Sequence, residues 1–299
     1  MESTNKNRVL SELASVSSAF LLAIMAVLVK LSAASLDGVQ ISFFRFFIGG
    51  ILSVFFLIIF RQKFLPVGWI PVMGRAVLGS VSMVIFYVAI GLSSGGRATL
   101  LNNLYPFFVV IFGAFFFNDK IRVSQILFML ISFVGSVMVF YDGSHYPLIA
   151  NLLAVSSALI VGLSVNFMKE ARKNNNSMMI YLWICLFGLV ITIPSMFSSV
   201  PILKSLSAMD WILVCGNAVV AFVAQFLFMW GQKYLTAVRN SFLQFSKMPF
   251  TLFLSIVFLQ EEMTVWFWIG SVFITAGLLL DTVFIWSGVN KRKDNPEIQ

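Results

Sequence analysis

Apolar runs of membrane-spanning length follow one another along this chain, separated by gaps too short to fold alone. They cover residues 12–32, 39–60, 70–92, 98–117, 123–141, 147–168, 178–198, 211–231, 238–259 and 265–286. Most have close to the ~20 residues that a helix needs to cross a bilayer. In hydrocarbon every backbone amide needs a partner, so only helices and closed barrels can span it. A barrel would show alternating segments of about ten residues, and the sequence has none. The expected fold is an all-α polytopic membrane protein with ten transmembrane helices. Only 11% of the residues are charged, against about a quarter in soluble domains. The first run is too long for a signal-peptide core, so it reads as a retained helix.

The charges are unevenly placed. If the ten runs alternate in direction, one side collects Lys6, Arg8, Arg61, Lys63, Lys120, Arg122, Lys169, Arg172, Lys173, Lys233, Arg239, Lys291, Arg292 and Lys293. The opposite loops hold Arg97 and Lys204, with Lys30 at a helix end. Positive charge stays on the cytoplasmic side. The expected location is therefore the cell inner membrane, multi-pass, with both termini cytoplasmic. Clusters between apolar runs encode topology, so the net charge of +8 does not point to nucleic acid. Cys185 and Cys215 lie inside apolar runs and read as packing residues.

The chain also repeats itself. "LLNNLYPFFVVIFGAFFFNDKI" at 100–121 aligns with "FLQFSKMPFTLFLSIVFLQEEM" at 242–263, so that Pro106 matches Pro249 and Asp119 matches Glu262. Gly135 follows in the first copy, Gly270 and Gly277 in the second. The copies occupy spans 4–5 and 9–10, which divides the chain into halves of five, 12–141 and 147–286. Five is odd, so the second half enters the membrane inverted. Inverted repeats around an axis in the membrane plane are a recurrent transporter architecture, with substrate held near the midplane beside interrupted helices. Proline inside a membrane helix frees a carbonyl, which is tolerated where the helix faces protein or a water-filled cavity. Pro106 and Pro249 are thus candidate gating elements.

With these features the chain resembles the EamA-type branch of the drug/metabolite transporter superfamily. The resemblance spans about residues 12–286. It rests on the two five-helix halves, the proline-to-acid spacing, the glycines of spans 5 and 10, and an arginine early in span 2. Asp119 stands where the family usually has glutamate, and Phe128 where it often has glycine. "FFRFF" at 43–47 is similar to the same stretch in S-adenosylmethionine uptake transporters of the superfamily. The resemblance implies a secondary carrier that works by alternating access.

Ionisable residues within a membrane are costly and mark function by default. Four are placed there: Arg45, Arg75, Lys247 and Asp281. Arg45 is about six residues into span 2, roughly 9 Å deep at 1.5 Å per residue. It is read as a structural staple or a gating residue, with Asp37 as a partner in reach. Arg75, near the start of span 3, is read as a snorkelling anchor. Lys247 lies near the midplane, two residues before Pro249. It is read as a substrate-facing cation, the alternative being an ion pair with Asp281. Asp281 is also in reach of Arg239. Polar residues expected to share a substrate pocket with Lys247 are Asn102, Asn103, Gln244, Gln225, Trp230, Asn166 and Tyr87. One lysine, amides and aromatic rings suit a small anionic or zwitterionic metabolite such as an amino acid.

Other classes fare poorly. The one histidine, His145, sits in a loop, and no metal-ligand set, phosphate loop or catalytic pairing is present. No cofactor, metal or nucleic acid is expected. A membrane-embedded enzyme or a sensor is the non-transport alternative, and S-adenosylmethionine uptake or exchange is the alternative within transport. The expected partners are a small-molecule substrate and the lipid bilayer, with the protein a monomer or homodimer.

Overall fold

The structure, a computed structural model, describes residues 2–117, 123–141, 145–197, 205–260, 264–277 and 280. Asp119, Glu262 and Asp281 lie outside them. The described residues form helices and connecting turns, without a strand. In chain order these are α1 (Glu2–Ser32), α2 (Gly38–Ile59), α3 (Trp69–Leu92), α4 (Gly95–Asn102), α5 (Tyr105–Phe117), α6 (Val123–Phe140), α7 (Leu148–Ala171) and α8 (Ser177–Phe197). They continue as α9 (Ala208–Gly231), α10 (Ala237–Leu243), a 3₁₀ turn (Gln244–Ser246), α11 (Lys247–Leu259) and α12 (Val265–Gly277).

Among the described residues, seven segments are long and apolar enough to cross a membrane: 7–32, 38–59, 69–92, 95–117, 148–171, 177–197 and 208–231. Residues 130–139, 247–259 and 265–277 are shorter apolar helices. Large side chains such as Phe55, Ile58, Phe115 and Val190 remain exposed on the helix faces, as expected of a surface meeting lipid.

Hydrocarbon offers no hydrophobic drive between helices, so close packing and internal hydrogen bonds hold such a bundle together. Its pairs include α3 with α7, α1 with α9, and α2 with α8. Small polar residues in the apolar helices return their hydroxyls to their own backbone, as Ser42 does to Gly38 O and Thr192 to Gly188 O. That satisfies a polar group that lipid cannot. Others bridge helices: the Ser18 hydroxyl donates to Ala224 O at 2.7 Å. A reciprocal backbone-to-backbone glycine contact joins α6 and α12. A Cβ on Gly135 would sit 2.5 Å from Gly270 O, and one on Gly270 would sit 2.6 Å from Gly135 O.

Spans 4 and 9, each read as carrying a helix-breaking proline, are both broken. The first breaks at Asn103 and Leu104, between α4 and α5; the second breaks at the 3₁₀ turn between α10 and α11. The reason is local. Proline has no amide hydrogen and tolerates only the first turn of a helix. Pro106 and Pro249 each lie in the first turn of the second half-helix.

Two charged residues differ from expectation. Asp37 does not hold Arg45. Its carboxylate accepts from Val39 N and Gln40 N, and the Gln40 side chain returns a bond to Asp37 N, which completes a capping box for α2. The orphan amides of the helix start outcompete a distant guanidinium. Arg97 is no loop cation. It is 3% exposed in the first turn of α4, and its guanidinium donates to Asn151 Oδ1 at 2.8 Å and to Val139 O at 2.7 Å.

At the end carrying the 61–68 and 172–176 connections, the asparagine run works as a clasp. Asn175 both donates to Val67 O and accepts from Val67 N. Asn176 caps α8 by accepting from Met179 N. Arg172 donates to Met229 O and Asn175 O, and its burial lowers its pKa to about 10. It stays charged at neutral pH.

Candidate functional site

The two broken helices face one cavity of about 80 Å³. At about 30 Å³ each, that space holds roughly two to three waters. Three cations line it, one from each of three helices: Arg45 of α2, Arg75 of α3 and Lys247 of α11. They are 2%, 2% and 5% exposed. No carboxylate lines the cavity among the described residues. Three amides, Asn102, Gln225 and Gln244, complete its polar wall together with Ser82 and Tyr105. Leu22 and Met25 of α1, Met83 and Phe86 of α3, Val161 and Val165 of α7, and Phe228 of α9 supply the apolar remainder.

Lys247 is the most exceptional of these residues. It opens α11 directly after the 3₁₀ turn, two residues ahead of Pro249. Its ammonium lies 5.6 Å from the centre of the Phe86 ring, a cation–π contact. No hydrogen bond or ion pair reaches it from the described residues. A dry, unpaired ammonium is costly, so a cavity that admits water or an anion suits it.

The arginines are held more firmly. Arg45 Nη1 donates to the Tyr87 hydroxyl at 3.0 Å and contacts Met25 Sδ at 3.5 Å. Tyr87 passes the bond on to Asn217 Oδ1 at 3.1 Å, so the chain of contacts joins α2, α3 and α9. Arg45 Nε has no partner. Arg75 Nη1 donates to Ser164 Oγ of α7 at 2.7 Å, and its Nε is likewise without a partner. Both arginines are anchored through one nitrogen, with donor capacity left over.

Arg75 corrects the sequence reading. Its place near a helix start suggested a side chain snorkelling toward water. Instead the guanidinium turns inward and lies over Gly79, where an added Cβ would meet Nη1 at 3.2 Å. Glycine leaves the room, and Ser164 supplies the partner. Arg75, Gly79, Ser82, Met83 and Phe86 fall at helical spacing on one face, a partial signal that does not by itself say what that face meets.

The residues expected to share a pocket divide into two groups. Lys247, Asn102, Gln244 and Gln225 line the cavity. Asn102 donates to Ser157 Oγ at 2.6 Å, and Gln244 donates to Ser15 O at 2.8 Å while its Oε1 stays unpartnered. The others are not cavity-lining. Tyr87 is taken up by Arg45 and Asn217. Asn166 ties α7 to α5 through Val109 O at 3.0 Å. Asn103 is wholly buried at the helix break, with neither amide atom partnered. Trp230 lines a separate pocket of about 450 Å³ at the asparagine clasp, with Arg172 and Lys233. Each moved for the same reason: its helix face points at a neighbouring helix or a loop. Arg239, considered for Asp281, meets Glu12 at 3.2 Å, while Asp281 lies outside the described residues.

Comparison with known proteins matches this arrangement to a family. The profile of the EamA-like transporter family matches residues 9–141 and again 148–282. The pseudopaline exporter CntI from two strains of Pseudomonas aeruginosa is 26% identical over 218 residues, covering 71% of this chain and 75% of the relative. A crystal structure with 16% identity superposes with a TM-score of 0.69 over 92% of this chain and 98% of its own, a likeness of fold. The family matches together take in nearly the whole chain, and it belongs to the EamA-like transporter family, the multi-pass membrane carriers of the drug/metabolite transporter superfamily.

Proposed function

We propose that this protein is a secondary transporter that moves a small anionic or zwitterionic metabolite across the cell inner membrane by alternating access. The reading takes the chain as ten spans in two inverted five-helix repeats, 12–141 and 147–286, with both termini cytoplasmic. One observation carries it: three buried cations converge on a cavity beside both helix breaks, with no carboxylate among the described lining residues. Buried charge without a counter-charge is unfavourable, and a bound anion supplies the missing one. Interrupted helices at a midplane site are also where inverted-repeat carriers hold substrate. The relatives named as exporters support a metabolite as cargo. Uptake of S-adenosylmethionine, suggested by "FFRFF", fits the cavity poorly, because a sulfonium would face three cations.

Flux into liposomes tests the function. Vesicles containing the purified protein are expected to accumulate a labelled anion such as glutamate or succinate, saturably and without chemical change to it. Linear, unsaturable uptake of every small anion tried would sink the proposal.

Orientation has its own test. Single cysteines at His145 and Asn174, both exposed, report on opposite ends of the bundle, whereas Ser177 is buried and a poor probe. An impermeant thiol reagent on intact cells should label His145→Cys and spare Asn174→Cys. The reverse pattern would invert the topology.

A further inference from the structure

We propose that the pocket at the asparagine clasp binds the phosphate head group of an anionic phospholipid. At about 450 Å³ it falls within the size range of ligand pockets. Arg172, Lys173 and Lys233 line it. An adjoining pocket shares Gln62, Asn174, Asn175 and Asn176 with it and adds Arg61 and Lys63. No carboxylate lines either pocket among the described residues. Of these five cations only Lys173 has an acidic partner there, Glu170 at 2.6 Å, and that pair is exposed. Arg172 spends two of its five donors on Met229 O and Asn175 O, and a guanidinium has three more. Ser177 opens α8 and also lines the pocket. It is 4% exposed, and its hydroxyl has no hydrogen-bond partner. The amides of a first helical turn lack intrahelical partners and carry partial positive charge. Basic side chains, a free hydroxyl and a helix start thus border one space, a combination suited to a phosphate.

The surface leading to the pocket makes that phosphate a lipid's. On α9, Val219 and Val223 are exposed, and Phe226 and Trp230 line the pocket. Their spacing puts all four on one helix face. On α2, Ile51, Phe55 and Ile58 are exposed, and the exposed Phe60 at its end is a lining residue. The two helices pack together, with Phe56 stacked on Phe222 at 5.8 Å. Apolar stripes on both helices therefore end at the basic pocket. Acyl chains can lie along them while the head group enters, whereas a soluble anion gains nothing from them. Trp230 and Tyr234 meet edge to face at 5.8 Å, and such amphipathic rings anchor helices at the membrane–water boundary. The topology proposed above makes this the cytoplasmic end, where basic pockets between membrane helices take anionic head groups.

The test titrates the purified chain, in a neutral detergent, with dioleoylphosphatidylglycerol, dioleoylphosphatidylcholine or glycerol 3-phosphate, and follows Tm. Phosphatidylglycerol is expected to raise Tm saturably, and the other two to leave it unchanged. Lys233→Gln removes an exposed side chain with no ion pair among the described residues. It should keep the lipid-free Tm and weaken phosphatidylglycerol binding about fivefold. Arg172→Gln should weaken it further but also lower the lipid-free Tm, because two structural bonds go with it. Arg8→Gln removes a cation outside the pocket and should keep wild-type lipid affinity. An equal effect of phosphatidylcholine would reduce the site to ordinary lipid solvation and overturn the proposal. An equal effect of glycerol 3-phosphate would make the ligand a soluble anion, and an equal loss in Arg8→Gln would make the attraction one of diffuse surface charge. Either result overturns the lipid site, as does a Tm that no additive moves.

Discussion

The Lys247→Gln protein is expected to insert and fold, yet bind a carboxylate-bearing substrate weaker by about 1.5–3 kcal/mol, the worth of a hydrogen bond to a charged group. That is roughly 10- to 150-fold in Kd. Lys247 has no structural bond to lose, because its ammonium meets only the Phe86 ring among the described residues. Removing it relieves a buried charge, so folded yield and Tm should hold or rise. Lys247→Arg should restore only part of the affinity, since a planar fork does not occupy the site of a compact ammonium. The competing account pairs Lys247 with Asp281, which lies outside the described residues. Under that account either single variant is unstable, because a lone charge is left buried. The double variant Lys247→Met with Asp281→Leu would then recover stability and transport together. Wild-type flux in that double variant would refute a binding role for Lys247.

Gly135→Leu should act in the opposite way, on assembly and not on affinity. A Cβ at residue 135 would stand 2.5 Å from the carbonyl oxygen of Gly270. The obstacle is backbone, which cannot rotate aside as a side chain does. α6 and α12 must separate, and close approach is what holds membrane helices together. Overpacking of this kind costs about 1–3 kcal/mol or more. The expected result is a large fall in folded protein and in Tm, with any surviving fraction binding substrate at wild-type affinity. Gly135→Ala should be milder but still destabilising. Wild-type yield from Gly135→Leu would show that the two helices do not meet at these glycines.

Much of this molecule was legible in one dimension, because hydrocarbon imposes one-dimensional rules. A backbone without water must close its own hydrogen bonds, so apolar length alone reveals a helix, as in α2, α3 and α9. Proline lacks an amide hydrogen, so Pro106 and Pro249 mark interruptions in two helices without any knowledge of their neighbours. Lys247 stood out because a cation ten residues into an apolar run has few explanations. What the sequence left open was which way each side chain faces. In a soluble helix the polar stripe shows the outer face. Here both faces are apolar, and a lone polar residue carries no direction. Arg75 is drawn inward only because α7 brings Ser164 to it and Gly79 leaves room. Tyr87 belongs to Arg45 and Asn217, Asn166 to the carbonyl of Val109, and Trp230 to the loop end, each decided by a neighbour distant in the chain. The convergence of Arg45, Arg75 and Lys247 on one cavity is likewise a property of packing. Three helices contribute one cation each, and only their mutual rotation puts those charges around the same space.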